Sequence, residues 1–284
     1  MTADMSRPRR AEVRRTLATR RDVAAVDAAV RLSVVVPAYR EADGIASAVA
    51  RIRSELHDIE RNGGLEVVVV DDGSGDGTAA AARSAGADLV VELPANQGKG
   101  AAVRAGMLAA SGGTRAFTDA DLSYAPAQIA RLAARVEAGW DVVVGNRYHE
   151  GSTTLVAAGT LRQVGGRAIN LATRVVLVGR HADTQCGLKA FRGDVADVLF
   201  SQSRIDGFAF DVEIIHLVER YGLSLTEVEV EVTNSDRSTV HVARDALALL
   251  GDLVRIRRSG ATGSYHLGSV DRAALSLGAP RMGE

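Results

Sequence analysis

Residues 66–74 read Glu-Val-Val-Val-Val-Asp-Asp-Gly-Ser, a β-branched apolar run that ends in two aspartates and a turn sequence. Valine is stiff at its Cβ and packs well on a pleated surface, so the run predicts a strand buried on both faces. Asp72-Gly73-Ser74 is favourable turn chemistry and indicates where the strand ends. Four further short runs are predicted strands: Leu32–Pro37, Leu89–Glu92, Ala116–Thr118 and Asp141–Val144.

Helical patterns separate these strands. Apolar residues recur at helical spacing over Asp43–Ile59, an alanine-rich stretch begins at Asp76, and Gly100–Ala110 is typical of a helix. Pro126 stands where a helix can begin, because its missing N–H is not needed in the first turn. Buried strands that alternate with helices predict an α/β fold with a mainly parallel, Rossmann-like central sheet flanked by helices.

The later chain is less regular. We predict helices over Leu161–Val178 and Val242–Ile256, and a strand with one wet face over Leu225–Val232. These elements form a C-terminal helical elaboration of one domain over residues 31–258. Residues 1–30 are predicted as a basic N-terminal tail and residues 259–284, rich in glycine and serine at their start, as a flexible C-terminal tail.

The N-terminal tail carries seven arginines between residues 7 and 21, with Asp4 and Glu12 as near acidic neighbours. Charge runs are usually solvated, which favours a partly helical tail in water. A basic arm that touches anionic lipid headgroups is the sharper alternative, and an organelle transit peptide is a weaker one.

Composition excludes several classes of protein. The chain has 284 residues, of which 46% are hydrophobic and 24% charged, so it is expected to fold and not to be disordered. A net charge of −1 gives no whole-surface attraction to nucleic acid, and one cysteine excludes an internal disulfide framework. No apolar run reaches the ~20 residues that span a bilayer, and no signal-peptide core is present. We therefore expect a cytoplasmic protein.

Acidic residues follow two of the predicted strands. Asp71 and Asp72 follow the second strand, and Asp119 and Asp121 follow the fourth. The carboxyl ends of parallel strands share one edge, so these carboxylates are expected to face one crevice. Their repulsion is relieved by a hard divalent cation, Mg²⁺ or Mn²⁺, that bridges to substrate phosphates. On an extended segment the two carboxylates of Asp-x-Asp would point the same way.

Lysine is scarce, since only Lys99 and Lys189 occur among 34 basic residues. Both lie in polar segments next to glycine, which suggests sites that need a compact ammonium group. Chance surface lysines are the alternative. Gln97-Gly98-Lys99-Gly100 opens a predicted helix, whose N–H groups could also meet phosphate.

Six motifs in order give the chain a family resemblance. It resembles the family 2 glycosyltransferases of GT-A fold and, within them, the polyprenyl-phosphate branch of the dolichyl-phosphate β-glucosyltransferases. The motifs cover about residues 32–258: Val36–Glu41, Val69–Ser74, Asn96–Gly100, Thr118–Leu122, Asp183–Phe191 and Asp206–Glu213, followed by Glu227–Val232.

The resemblance implies roles for individual residues. Nucleotide-sugar binding is implied for Pro37, Tyr39, Glu41, Asp71, Asp72, Lys99, Asp119 and Gln185. Catalytic roles are implied for Asp121, Asp211, Lys189 and Arg147, and contacts with the acceptor phosphate for Arg147 and Arg162. Metal ligation is implied for Asp119 and Asp121. For Asp211, a structural cap or ion pair is an equal alternative.

The implied activity is an inverting, metal-dependent transfer of a hexose, glucose from UDP-glucose, onto a polyprenyl phosphate. GDP-mannose as donor and a soluble acceptor are alternatives for the same kind of enzyme. A further alternative is a protein of another class, a non-catalytic sugar-nucleotide-binding module. The partners implied are the donor, the lipid acceptor and the cytoplasmic membrane face, with no nucleic acid; oligomeric state is left open. Leu161–Val178 and Val242–Ile256, with their neighbouring arginines, either lie in the membrane interface or pack as ordinary core helices.

Overall fold

The valine-rich run at residues 66–74 supplies the second strand of a central sheet. The computed structural model describes residues 30–156, 183, 186–233, 242–262 and 265. Its strands are β1 Leu32–Ala38, β2 Leu65–Asp71, β3 Leu89–Glu92, β4 Thr114–Phe117, β5 Val142–Asn146, β6 Thr153–Val156, β7 Lys189–Arg192, β8 Leu225–Glu229 and β9 Glu231–Thr233. Its helices are α1 Ile45–Glu55, α2 His57–Arg61, α3 Thr78–Ser84, α4 Lys99–Ala109, α5 Ala127–Glu137, α6 Gly193–Gln202, α7 Phe210–Tyr221 and α8 Val242–Ala261.

The strands of this described part form a seven-stranded sheet and a two-stranded one. The large sheet has the order β3-β2-β1-β4-β7-β5-β8, and β6 pairs with β9 in the small sheet. All pairs of the large sheet are parallel except those of β7, which runs antiparallel to β4 and to β5. The predicted α/β architecture with a mainly parallel sheet is confirmed.

The core consists of two apolar layers, one on each face of the sheet. Successive side chains of a strand point to opposite faces, so Val35 lies in one layer while Val34 and Val36 lie in the other. Helices α4, α6 and α7 contribute to the layer of Val35, and α1 and α5 to the layer of Val34. Strands buried on both faces explain why the sequence shows continuous valine runs without alternation.

Two predicted elements are wrong in their extent. The helix predicted over Asp43–Ile59 is broken at Leu56, where the backbone leaves helical geometry and α2 begins. The strand predicted over Leu225–Val232 is divided between the two sheets, because the Val230 N–H donates to Ser152 Oγ at 2.9 Å instead of continuing the ladder with β5. The division of the strand arises from a contact with a distant residue, which local patterns do not contain.

The C-terminal helix continues past the boundary expected at residue 258. Helix α8 ends at Ala261, and Tyr265 beyond it is 1% exposed. Among the described residues, no helix is both long and apolar enough to cross a bilayer. The arginine-rich tail and the helix predicted over Leu161–Val178 lie outside the described residues.

Close packing of α4 on the sheet makes Gly106 a stability determinant. A Cβ at Gly106 would lie 2.4 Å from Val35 Cγ1 and 2.8 Å from Val70 Cγ2. Gly106→Ala should therefore lower the free energy of unfolding by about 1–3 kcal/mol in urea melts, despite the better helix propensity of alanine. Gly251→Ala in α8 is the matched control, since among the described residues no atom outside the backbone of its own helix lies within 4 Å of its added Cβ. The control should raise stability by about 0.4–1 kcal/mol, and equal effects of both variants would contradict the packing argument.

Candidate active site

The carboxyl edge of strands β2, β1 and β4 gathers the acidic motifs. Asp71 ends β2 and pairs in register with Ala38 of β1. On the other side of β1, the Thr118 N–H donates to the Val35 carbonyl at 3.1 Å, which keeps the start of the Asp119 segment beside the same strand. Asp71 and this segment are therefore about 10 Å apart across two strand spacings. The structure brings the two aspartate motifs to one edge.

The segment after β1 is tied down by the turn after β2. Arg40 has a positive φ of 58° and donates its N–H to Ser74 Oγ at 2.8 Å, and Glu41 donates its N–H to Thr78 Oγ1 at 3.0 Å. Tyr39 is 40% exposed, and the Arg40 guanidinium lies 5.2 Å from the centre of its ring. This arrangement leaves an exposed aromatic side chain directly after the carboxyl end of β1. Arg40 lies inside the motif at residues 36–41, but the sequence alone indicates no role for it.

Asp72 is engaged with protein and positions a loop. Its carboxylate accepts the N–H groups of Gln97 and Gly98, each at 2.8 Å, and the Asn96 side-chain amide at 3.0 Å. Burial raises the pKa of Asp72 even though these backbone N–H groups act against it. The loop that Asp72 holds leads directly into α4, whose first residue is Lys99. A direct contact of Asp72 with a nucleotide stays a prediction.

Lys99 and Asp119 form the central ion pair of the edge. The Lys99 ammonium lies 2.5 Å from Asp119 Oδ1. Burial lowers the pKa of Lys99, but Asp119, Asp211 and Asp121 together outweigh burial and keep it above its usual value. The other oxygen of Asp119 faces Gly187, where an added Cβ would lie 2.4 Å from Oδ2. Gly187 therefore has to be small for Asp119 to occupy this place.

The Asp-x-Asp segment is a turn, which corrects the expectation of an extended segment. The Leu122 N–H donates to the Asp119 carbonyl at 3.0 Å, and Leu122 has a φ of +48°. A buried branched residue in this region is strained by about 1 kcal/mol or more, and its burial in the core holds the turn in place. Asp121 is exposed, and its two oxygens accept the Ser123 N–H at 3.0 Å and the Ser123 hydroxyl at 2.9 Å.

Lys189 and Asp211 form a buried ion pair next to Lys99. Lys189 is the first residue of β7 and lies in register with Phe117, the last residue of β4. Its ammonium donates to Asp211 Oδ1 and, at 2.7 Å, to the Cys186 carbonyl. Burial raises the pKa of Asp211, whereas the charges of Lys189 and Lys99 act to lower it. The pair is shielded from water.

Arg147 lies outside this pair and binds Asp183. Its Nε and Nη2 contact the two oxygens of Asp183 at 2.7 and 2.8 Å, and its backbone N–H donates to Oδ2 at 3.0 Å. Asp183 is fully buried, while the side chain of Arg147 is 37% exposed. The edge of the guanidinium formed by Nε and Nη2 is thus occupied, and only the exposed remainder could meet a phosphate. Gln185 and Arg162 lie outside the described residues, so their predicted roles stay predictions.

Asp183 and Gly187 make contacts around the site that the sequence does not indicate for either residue. Both lie in the motif at residues 183–191, so the motif marked them, but only the fold shows that they contact Arg147 and Asp119.

Comparisons with known proteins agree with this geometry. The family model of glycosyl transferase family 2 matches residues 33–199. Dolichyl-phosphate beta-glucosyltransferase of Drosophila melanogaster is 31% identical over 260 residues, 86% of this chain and 79% of that protein. The protein of the same name from Dictyostelium discoideum is 30% identical over 242 residues, 80% of this chain and 74% of that protein.

A solved structure is similar in fold. The crystal structure of glucosyl-3-phosphoglycerate synthase from Mycobacterium tuberculosis in complex with Mn²⁺, UDP-glucose and phosphoglyceric acid has a TM-score of 0.62 to this chain. The two are 23% identical, over 83% of this chain and 82% of that one. This likeness confirms the predicted GT-A architecture.

The Arg147–Asp183 pair gives a pH-dependent contribution to stability. Burial raises the pKa of Asp183, but hydrogen bonds and charge from Arg147 outweigh burial and hold the pKa below its usual value of about 4. The folded state then binds fewer protons than the unfolded chain, so the stabilisation is present above that value and is lost as the pH falls through the folded-state pKa.

Asp183→Asn should lower the free energy of unfolding at pH 7 by about 2 kcal/mol. That figure is below the usual loss for breaking a buried pair, because solvent screens the exposed part of Arg147. In urea melts, the difference from the wild type should shrink as the pH is lowered from 7 to about 3. Asp58→Asn is the control, since the Asp58 side chain is 82% exposed. A difference that stays constant with pH would contradict the assignment.

Proposed function

The chain belongs to glycosyl transferase family 2 and is a glycosyltransferase, and we propose that it moves glucose from UDP-glucose onto a polyprenyl phosphate. The observation that carries the proposal is the convergence of Lys99, Asp119 and the Lys189–Asp211 pair at the carboxyl edge of β4. Opposite charges from four chain segments meet where the family resemblance implies that the donor binds. The names of the two curated relatives, both over 70% covered, support glucose and a lipid phosphate.

Asp119 and Asp121 are the residues that would hold a divalent cation. Carboxylate oxygens suit Mg²⁺ and Mn²⁺, and two of them leave positions open for diphosphate oxygens. Within the described ranges, no three histidine, cysteine, aspartate or glutamate side chains form a closed metal site. When bound, such a cation supplies charge neutralisation for the departing nucleoside diphosphate.

The residues of the chain supply position and charge. The Lys99 ammonium, at the start of α4, lies where it can also meet the diphosphate. Asp211 is buried against Lys189, so it holds the ammonium groups in place and is not free to take a proton from an acceptor. The exposed part of Arg147 is the candidate contact of the acceptor phosphate.

A phosphate acceptor does not need a general base. It is already an anion, so one of its oxygens can attack the anomeric carbon directly while the bond from that carbon to the diphosphate oxygen breaks. A single displacement of this kind inverts the anomeric centre and gives a β-linked sugar phosphate from an α-linked donor. Among the described groups around Lys99 there is no free buried base, which agrees with an acceptor that is already an anion.

Transfer can be tested with labelled UDP-glucose, Mn²⁺ and a polyprenyl phosphate in detergent, followed by solvent extraction. The label should enter the organic phase, and Asp121→Asn should lower kcat about 10²- to 10³-fold. Asp58→Asn, on exposed α2, should leave the rate unchanged. Label that stays in an aqueous product would show that the acceptor is soluble and not a lipid. Transfer from GDP-mannose and not from UDP-glucose would show that GDP-mannose is the donor. Binding of UDP without transfer to any acceptor would indicate a non-catalytic module.

Lys99 should have opposite effects on cation and nucleotide affinity. Its ammonium occupies Asp119, so Lys99→Gln removes a competing positive charge and should tighten Mn²⁺ binding in the absence of nucleotide by about fivefold to tenfold. The same change removes a charged partner of the diphosphate and should weaken UDP binding at saturating Mn²⁺ by about tenfold.

Electron paramagnetic resonance of free Mn²⁺ and calorimetry with UDP measure the two affinities. Arg83→Gln is the control, since Arg83 pairs with Glu92 at the surface, away from Asp119. A loss of both affinities in Lys99→Gln would show that Lys99 supports the local structure only.

A further inference from the structure

Glu213 is a buried carboxylate with no part in the reaction described above. It lies in the first turn of α7 and is completely shielded from solvent. It accepts the N–H of Arg204 at 3.0 and 2.9 Å, the N–H of Ile205 at 2.9 Å and the Tyr265 hydroxyl at 2.7 Å. Burial raises the pKa of Glu213, and these donors act against burial. A buried carboxylate with so many donors fixes the segments that supply them.

The segment that Glu213 holds connects α6 to α7 and caps another helix. The Asp206 carbonyl accepts the N–H of Gly100 at 2.7 Å and that of Ala101 at 3.2 Å. These two N–H groups belong to the first turn of α4, where helix residues have no partner within the helix. The 204–206 loop, residues 204 to 206, thus provides the cap that no side chain in α4 supplies.

Close contact makes this cap a rigid one. A Cβ at Gly98 would lie 2.6 Å from the Asp206 carbonyl oxygen, and one at Gly100 would lie 2.4 Å from the Ile205 carbonyl oxygen. The side chain of Asp206 also binds Arg104 of α4, with Nη2 at 2.5 Å from Oδ1. The 204–206 loop and the start of α4 are therefore joined through both backbone and side chains.

We propose that Glu213 is a positioning residue of the donor site, which holds the 204–206 loop against the start of α4 and so sets the place of Lys99. Its effect on Lys99 chemistry rests on the proposed function. The link from Glu213 to Gly100 rests on the hydrogen bonds alone. Tyr265 lies beyond the end of α8 and extends the link to the far end of α7, since its carbonyl accepts the hydroxyl of Tyr221, the last residue of α7, at 3.2 Å.

The test uses Glu213→Gln and the milder Tyr265→Phe in the full chain. Hydrogen exchange of the Gly100 and Ala101 amides is followed by nuclear magnetic resonance, together with urea stability and the affinity for UDP and Mn²⁺. Glu219→Gln on the same helix controls for the loss of charge. Ile129→Val, in the apolar layer on the other face of the sheet, controls for general loss of stability.

Exchange of these two amides should become about tenfold faster in Glu213→Gln and a few-fold faster in Tyr265→Phe, beyond any change at amides of β2. UDP affinity should fall by about fivefold to tenfold in Glu213→Gln, and neither control should change the exchange rates selectively. Should Glu213→Gln fail to fold, Tyr265→Phe alone decides the outcome. Amide exchange that rises evenly over the whole chain would overturn the proposal. If exchange rises only at Gly100 and Ala101 but the protein binds no nucleotide, the structural link from Glu213 to α4 is supported and the proposed function is rejected instead.

Discussion

The carboxyl edge of β2, β1 and β4 depends on one contact, the Lys99 ammonium against the Asp119 carboxylate. The carboxylates of Asp119, Asp121 and Asp211 all interact electrostatically with this one ammonium group, and without it they would repel one another. The surrounding features keep this cation in place. Asp72 holds the loop before Lys99, the Asp206 carbonyl caps the turn after it, and Gly187 leaves room for Asp119.

The antiparallel strand β7 explains how a second ammonium reaches the same edge. Because β7 runs against β4, its first residue, Lys189, lies beside the last residue of β4, Phe117. In a parallel arrangement the first residue of β7 would lie at the opposite edge of the sheet. The reversed strand therefore places Lys189 under the aspartates, where Asp211 from α7 neutralises it. A departure from the regular parallel pattern is what completes the electrostatics of the site.

The parts of the fold that could be predicted are those with strong local signals. The valine runs that became β1 and β2 are bounded by turn residues, and their ends were predicted within one residue. By contrast, Lys-Ala-Phe-Arg in β7 is too short to show a hydrophobic periodicity. The division of the last predicted strand at Val230 depends on the distant Ser152. The site shows the same division. Aspartates after strands and rare lysines could be selected by type and place, but the Lys99–Asp119 and Arg147–Asp183 pairs join residues far apart in the chain.

The position of β7 in the middle of the sheet also affects how the chain can be made. A ribosome releases β1 to β5 before β7, so β4 and β5 leave the exit tunnel with the gap between them unfilled. Each then has an open edge of unpaired backbone groups, which invites pairing with other chains. The nascent protein is consequently most exposed to aggregation in the interval before residues 189–192 arrive, and a chaperone that shields strand edges would act at that stage.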